Sequence, residues 1–428
     1  MFISENNKEK FLNILFALIP LSFIGGNLLI NLNILLLIIT SLLFFKKEIF
    51  QLKLNFFDKL ISFFFLILLL TGIANSLLSY YPEKSIYADE ILIKSFLFLR
   101  FILIYFIIKF LVISGILKFK IFFITASVCS LFVSLDVILQ FFTGKDIFGY
   151  ESFSRRNPGP FGDEAISGSY IQRFSLFTFF LFPVFFPNYN KKIYTVFIIP
   201  IIILTLSAVL FSGNKVPFVM FILAAIILLI LNFKSKKITM FLMVVTALIF
   251  LIFYNFNSQV KYNFGNFYVK VSQIQIYAKS VVKNIKFGSD VYIPNTYLKE
   301  IHNGILAFNS KKMVGGGLKS YKISCIEFSK YSCAPHPHNY HVEILVSTGI
   351  LGYFLLLILF LKFLISFKNS HLTKTKKNQM IFVLFSTLFF IEFFPLRTTG
   401  SFFSTANATY FFIIMSIAIS LSLKKEIK

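Results

Sequence analysis

The chain has 428 residues, of which 57% are hydrophobic and 19% aromatic, while only 14% carry a charge. That excludes a soluble fold, because many windows run about 18 residues or more without a charge, enough to cross a bilayer. The net charge of +24 does not point to nucleic acid. Most Lys and Arg sit in short clusters between hydrophobic runs, the pattern of cytoplasmic loops.

Taken in order, apolar stretches at 11–25, 28–45, 58–75, 94–113, 120–142, 170–187, 194–211, 217–232, 238–255, 341–366, 379–394 and 405–422 predict an all-α polytopic membrane protein of about twelve spans. Lys8 and Lys10 precede the first run, and no small-residue cleavage site follows, so it reads as a spanning helix rather than a removed signal peptide. Basic clusters fall on every second break: Lys46-Lys47, Lys118 with Lys120, Lys191-Lys192, Lys234 with Lys236-Lys237, Lys374 with Lys376-Lys377, and Lys424-Lys425. The alternation places these, and both termini, in the cytoplasm. Loops 76–93, 143–169, 256–340 and 395–404 then lie outside. The chain divides into residues 1–255, with nine spans and the basic outer loop 143–169, a long outer loop at 256–340, and three spans in 341–428. The long loop exceeds what an idle connection needs. Within it, Val, Ile and Tyr alternate with Lys and Ser over 268–284, which predicts a surface helix. No internal repeat is evident, against transporters built from duplicated halves.

Charges inside spans are costly and mark function or helix pairing. Arg100 lies in mid-span, Asp136 near the outer end of its helix, and Glu392 and Arg397 flank Pro395. The loop after the fifth span carries Arg155-Arg156-Asn157-Pro158-Gly159-Pro160-Phe161-Gly162-Asp163-Glu164, with Arg173 following. Arginines beside glycines suit a diphosphate, whose oxygens the guanidinium fork grips in pairs. Snorkelling to lipid headgroups is the alternative, but basic residues otherwise favour the opposite face. Lys215 opens a span on this same face and adds a further cation. Cys129 lies in an apolar run and reads as core. Cys325 and Cys333 share the long loop, where a disulfide would tie down the approach to His336 and His338.

Three of the five histidines, His336, His338 and His341, fall within six residues where the polar loop meets an apolar helix. They admit a structural reading, a zinc reading with Cys333, and a catalytic one. In the last, a helix starting near Tyr340 turns its positive end toward the imidazole, which disfavours imidazolium and leaves a neutral general base at pH 7.

These residues resemble the O-antigen ligase and O-antigen polymerase superfamily. Its hallmark matches His338-Asn339, nine residues, Gly349, two residues, then Gly352. Further polymerase-like resemblance lies in Asp136…Gln140…Gly144 with Asp146, in Arg156 through Glu164, and in Phe394-Pro395-Leu396-Arg397 with Gly400 to Phe403. The family commonly has arginine where this chain has Lys215, so the charge is kept and the bidentate fork is not.

The resemblance implies a C-type glycosyltransferase fold in the bacterial inner (cytoplasmic) membrane, with its active face periplasmic. It implies transfer of a glycan from an undecaprenyl diphosphate carrier to lipid A-core (ligase) or a second lipid-linked repeat (polymerase), using neither metal nor nucleotide. His338 would deprotonate the acceptor hydroxyl, and Arg156, Arg173, Lys215 and Arg397 would hold the diphosphate. Asn339, His336, Glu164, Asp136 and Arg100 would support them. A flippase or exporter of lipid-linked sugars is the rival: it too needs cations, but not a neutral base at the mouth of a long loop.

Overall fold

The computed structural model describes residues 4–77, 85–153, 156–186, 188, 190–232, 236–287, 290–328, 333–370, 376–395, 397 and 400–423. Arg155, Leu396 and parts of the last three basic clusters (Lys234, Lys374, Lys424 and Lys425) lie outside the described residues. The described chain is helical, with only the isolated bridges Lys145–Glu151 and Phe153–Arg156 between extended segments. Its helices are α1 (Glu5–Ala17), α2 (Ile19–Ile24), α3 (Gly26–Phe50), α4 (Phe56–Leu77), α5 (Ser85–Phe98), α6 (Arg100–Ile113) and α7 (Phe119–Thr143). There follow α8 (Ser167–Phe174), α9 (Leu176–Phe185), α10 (Lys191–Phe211), α11 (Lys215–Asn232) and α12 (Lys236–Phe256). The long loop folds as α13 (Ser258–Gly265), α14 (Phe267–Phe287), α15 (Thr296–Ser310) and α16 (Ser320–Phe328), before α17 (Tyr340–Ser370), α18 (Lys376–Glu392) and α19 (Thr405–Leu423).

Helix covers every stretch read as a span, but the count of twelve does not follow from length and apolarity. Six helices meet those criteria among the described residues: Gly26–Phe50, Phe56–Leu77, Asp89–Ile113, Phe119–Thr143, Tyr340–Ser370 and Thr405–Leu423. A seventh is added if Val244–Phe256 and Ser258–Lys286, bent by 109°, form one span. Breaks account for part of the difference. The first stretch is divided into α1 and α2 next to Pro20, which has no N–H to continue the helical ladder. The sixth is divided at Ser175 into α8 and α9.

Burial orders the bundle. The spanning window of α19 is 83% buried, that of α3 only 28%, so α19 is central and α3 peripheral. Leu28, Leu32, Leu35, Leu36, Ile39 and Leu43 of α3 form an exposed apolar stripe at helical spacing, as lipid contact requires. Phenylalanines clasp α19: Phe402 lies 5.0 Å from Phe411, and Phe101 stacks on Phe412 at 5.8 Å. At the start of α4, Asn55 and Asp58 cap one another through reciprocal backbone bonds. Buried Asp58 also pairs with Lys109 and accepts from Tyr105 at 2.9 Å.

The packing of the long loop onto α17 bears most directly on the site. Gly349 has φ +64, which breaks the helix inside its apolar run. The strap Lys311–Leu318 then pairs with the freed backbone: Gly316 N donates to Val346 O at 2.8 Å, Gly317 N to Ser347 O at 2.9 Å, and Ile350 N to Lys312 O at 2.8 Å. Non-helical backbone at membrane depth is tolerable where protein satisfies it in this way. A Cβ on Gly349 would lie 2.3 Å from Met313 O, and one on Gly315 2.5 Å from Gly349 N. Only glycine fits at these two positions. Thr71 bonds Val314 O at 3.0 Å and Lys311 bonds Asn75 at 2.8 Å, anchoring the strap to α4.

Candidate active site at the start of α17

Four constraints shape the histidine segment. Cys325 and Cys333 are joined by a disulfide at its upstream end. Buried Glu300 of α15 accepts from Tyr321 at 2.6 Å and from Ala334 N at 3.3 Å. Asn339 caps α17, its Oδ1 accepting from Val342 N at 3.1 Å, while its Nδ2 donates to Pro395 O at 2.9 Å. One side chain thus starts the helix and holds the α18–α19 connection. His338, between these ties, adopts φ +53. Such strain in a non-glycine residue persists only where its surroundings impose it.

His336 and His338 lie face to tilted face, with ring centroids 4.2 Å apart. Burial, with lesser contributions from His338 and Lys319, pushes His336 down to about 4. Burial also lowers His338; Glu300 opposes that shift and Arg156 adds to it. His338 is therefore an uncharged imidazole at neutral pH, half-buried and able to accept a proton. His341 is committed elsewhere, with ring nitrogens 3.1 Å from Tyr353 Oη and 3.1 Å from Phe393 O. With Cys333 oxidised and His341 turned away, the zinc set considered from sequence does not assemble.

The field of Arg156 reaches both His338 and Lys215, and the charge of Lys270 of α14 also acts on Lys215. None of Arg156, Lys215 and Lys270 has a carboxylate in ion-pair range among the described residues. The N-terminus of α11, which begins at Lys215, adds its partial positive charge. Sequence reasoning missed Lys270, because an exposed lysine on a surface helix carries no signal of its neighbours.

The sequence profile of the O-antigen ligase family matches residues 200–357, which contain Lys215, the whole long loop, His338 and both hallmark glycines. Over that stretch, rather more than a third of its length, the chain is similar to the O-antigen ligase family. No curated protein matches the chain.

Outside the matched ligase region, the remaining candidates play distinguishable parts. Asp136 accepts from Ile147 N at 2.8 Å, and Gln140 bridges Tyr150 O at 3.0 Å and Gly159 N at 2.7 Å. Asn157 donates to Phe211 O at 2.6 Å. These bonds fold loop 143–169, from which the field of Arg156 acts on His338. Glu164 is exposed at the rim of that loop. Arg100 bonds Leu97 O at 2.9 Å and Thr405 at 3.3 Å, joining the α5–α6 break to the start of α19.

Arg173 and Arg397 are not on the open face with Arg156. Both are buried and converge on buried Glu392, Arg173 at 2.9 Å and Arg397 at 2.8 Å. Arg397 also donates to Gln172 at 2.6 Å, and Arg173 to Asn407 at 2.8 Å and Tyr340 at 3.4 Å. The network lies against Tyr340, the first residue of the helix that Asn339 caps. Glu343 accepts from Ser401 at 2.5 Å and Phe402 N at 2.6 Å, fixing the same connection one turn further on.

Proposed function

We propose that this multi-pass protein, an O-antigen ligase- or polymerase-type glycosyltransferase by family, moves a glycan from undecaprenyl diphosphate to an acceptor sugar on the periplasmic face of the inner membrane. We place both termini in the cytoplasm and count twelve crossings, the broken and shorter helices included. The observation that carries the reading is a neutral His338 in the field of Arg156, whose field also reaches Lys215, on which Lys270 acts as well.

The acceptor hydroxyl gives its proton to His338 as its oxygen bonds to the anomeric carbon of the donor. The bond from that carbon to the diphosphate oxygen breaks, and the electron pair leaves with the diphosphate. Negative charge grows where the cation cluster waits, so the cluster stabilises the transition state more than the ground state. Fixed cations supply the neutralisation that a divalent ion supplies elsewhere. In this reading Arg173 and Arg397 act through Glu392, setting the α18–α19 connection against the start of α17, while Arg156 and Lys215 meet the diphosphate.

Replacing His338 by Ala in cells tests the reading. A transferase loses long-chain polysaccharide while lipid-linked units still reach the outer face. Persistence of long chains sinks the assignment, and loss of outward lipid-linked units favours a flippase. Purified protein given lipid-linked repeats alone, then lipid A-core as well, separates polymerase from ligase.

A further inference from the structure

Lys319 and His338 are the two non-glycine residues with left-handed φ among the described residues, at +67 and +53. Lys319 follows the glycine strap that docks on the α17 break and immediately precedes α16. Its backbone is held by the strap bonds of Gly316 and Gly317 and by the turn from Ser320 N to Gly317 O at 3.3 Å. Glycine would occupy this position without strain, yet the chain carries a long cation there. The side chain is exposed, and its field reaches His336 and Glu343. No described carboxylate lies within ion-pair range of it, and the Glu343 oxygens are taken by Ser401 and Phe402.

Cations from separate elements thus act on the two histidines: Lys319, directly after the strap, on His336, and Arg156, from loop 143–169, on His338. We propose that Lys319 is a second anion seat, one that takes an anionic group of the acceptor while the donor diphosphate occupies the Arg156 and Lys215 seat. The assignment rests on the glycosyltransferase reading and follows from what each substrate's charge does. The leaving diphosphate gains charge in the transition state and needs several cations with a helix terminus. An anion on the acceptor keeps its charge throughout, so one lysine is enough to position it. The anion is either the acceptor's own lipid diphosphate or an acidic group on its glycan.

Calorimetric titration of inorganic pyrophosphate into the full-length protein in detergent tests the two seats without needing activity. Wild type takes two equivalents, Lys319→Gln one, and Lys319→Arg two. Lys319→Gly, which relieves the backbone while removing the charge, also takes one. A single equivalent in wild type, or two in Lys319→Gln, overturns the proposal. In the transfer assay, Lys319→Gln raises the acceptor KM about tenfold for a lipid-diphosphate-linked repeat, with kcat kept. The KM for a neutral methyl glycoside of that repeat stays as in wild type. An equal rise for both acceptors overturns the proposal. Sensitivity with a glycoside carrying only a sugar phosphate places the anion on the glycan. If His338→Ala keeps transferring, the glycosyltransferase reading falls while the pyrophosphate stoichiometry stands.

Discussion

Arg173 grips Glu392 with two nitrogens, Nε at 2.9 Å and Nη2 at 3.1 Å, at a depth where neither side chain meets the surface. Arg397 shares the carboxylate, so one anion compensates two buried cations. Replacing Glu392 by Gln leaves both guanidinium groups uncompensated, which costs about 3–5 kcal/mol. Thermal unfolding in detergent should show a large fall in Tm. Adding Arg397→Met to that variant should recover part of it.

Gly349→Ala should be comparably disruptive for a different reason. The new Cβ meets Met313 O, and φ +64 is strained for alanine. Strain alone costs about 1–3 kcal/mol, and relief requires the strap to leave. Limited proteolysis should show new cutting between Lys311 and Lys319. A strap as protected as in wild type contradicts the packing described.

The contrast between these two sites shows what the sequence could reveal. His338, Gly349 and Gly352 are a local pattern and are legible at once, although the pattern does not say that Gly349 breaks a helix to admit another backbone. The strap was invisible as such, since Gly315-Gly316-Gly317 reads only as a flexible stretch. Arginine chemistry was legible too, but not its partner: Arg173 and Glu392 are 219 positions apart, and Asp58 and Lys109 are 51. Residue type alone could not separate Arg156, which is exposed, from Arg173, which is buried. The number of crossings was read from apolar runs. Runs do not reveal where a helix is divided, as beside Pro20.

Loss of the base should dominate the kinetics. His338→Ala should cut transfer by about 10²–10⁴-fold in purified protein, the range of general-base catalysis. His336→Ala should cost much less. Because burial holds His338 below its ordinary value, the acid limb of the pH–rate profile should lie below pH ~6.5. Wild-type activity already falling above that pH contradicts the environment described.

His336 makes stability depend on pH. Its folded value, about 4, is below the unfolded value of ~6.5. Between the two, the unfolded chain takes up a proton that the folded chain refuses, so stability declines as pH falls from ~6.5 towards 4. Tm measured across that window should slope less in His336→Asn. Identical slopes assign the loss to other groups.

Asn339 can be separated into its two bonds. Asn339→Ala loses the cap and the tie to Pro395, costing about 1 kcal/mol or more. Asn339→Asp still accepts from Val342 N but has no amide N–H for Pro395 O, so it should keep helix stability while lowering transfer. Equal effects of both substitutions on Tm show that the cap is not what Asn339 supplies.

The order of synthesis gives the central position of α19 a further meaning. Asn339 waits for Pro395, Glu343 for Ser401 and Phe402, and Arg173 for Asn407. Each is made by the ribosome well before the partner that completes it. A nascent chain ending at α18 would carry His338, Arg156 and the Arg173–Glu392 pair but not Pro395, Ser401, Phe402 or Asn407. The start of α17 is therefore held by the part of the chain made after it, and its ties close only once the α18–α19 connection and α19 have packed against it.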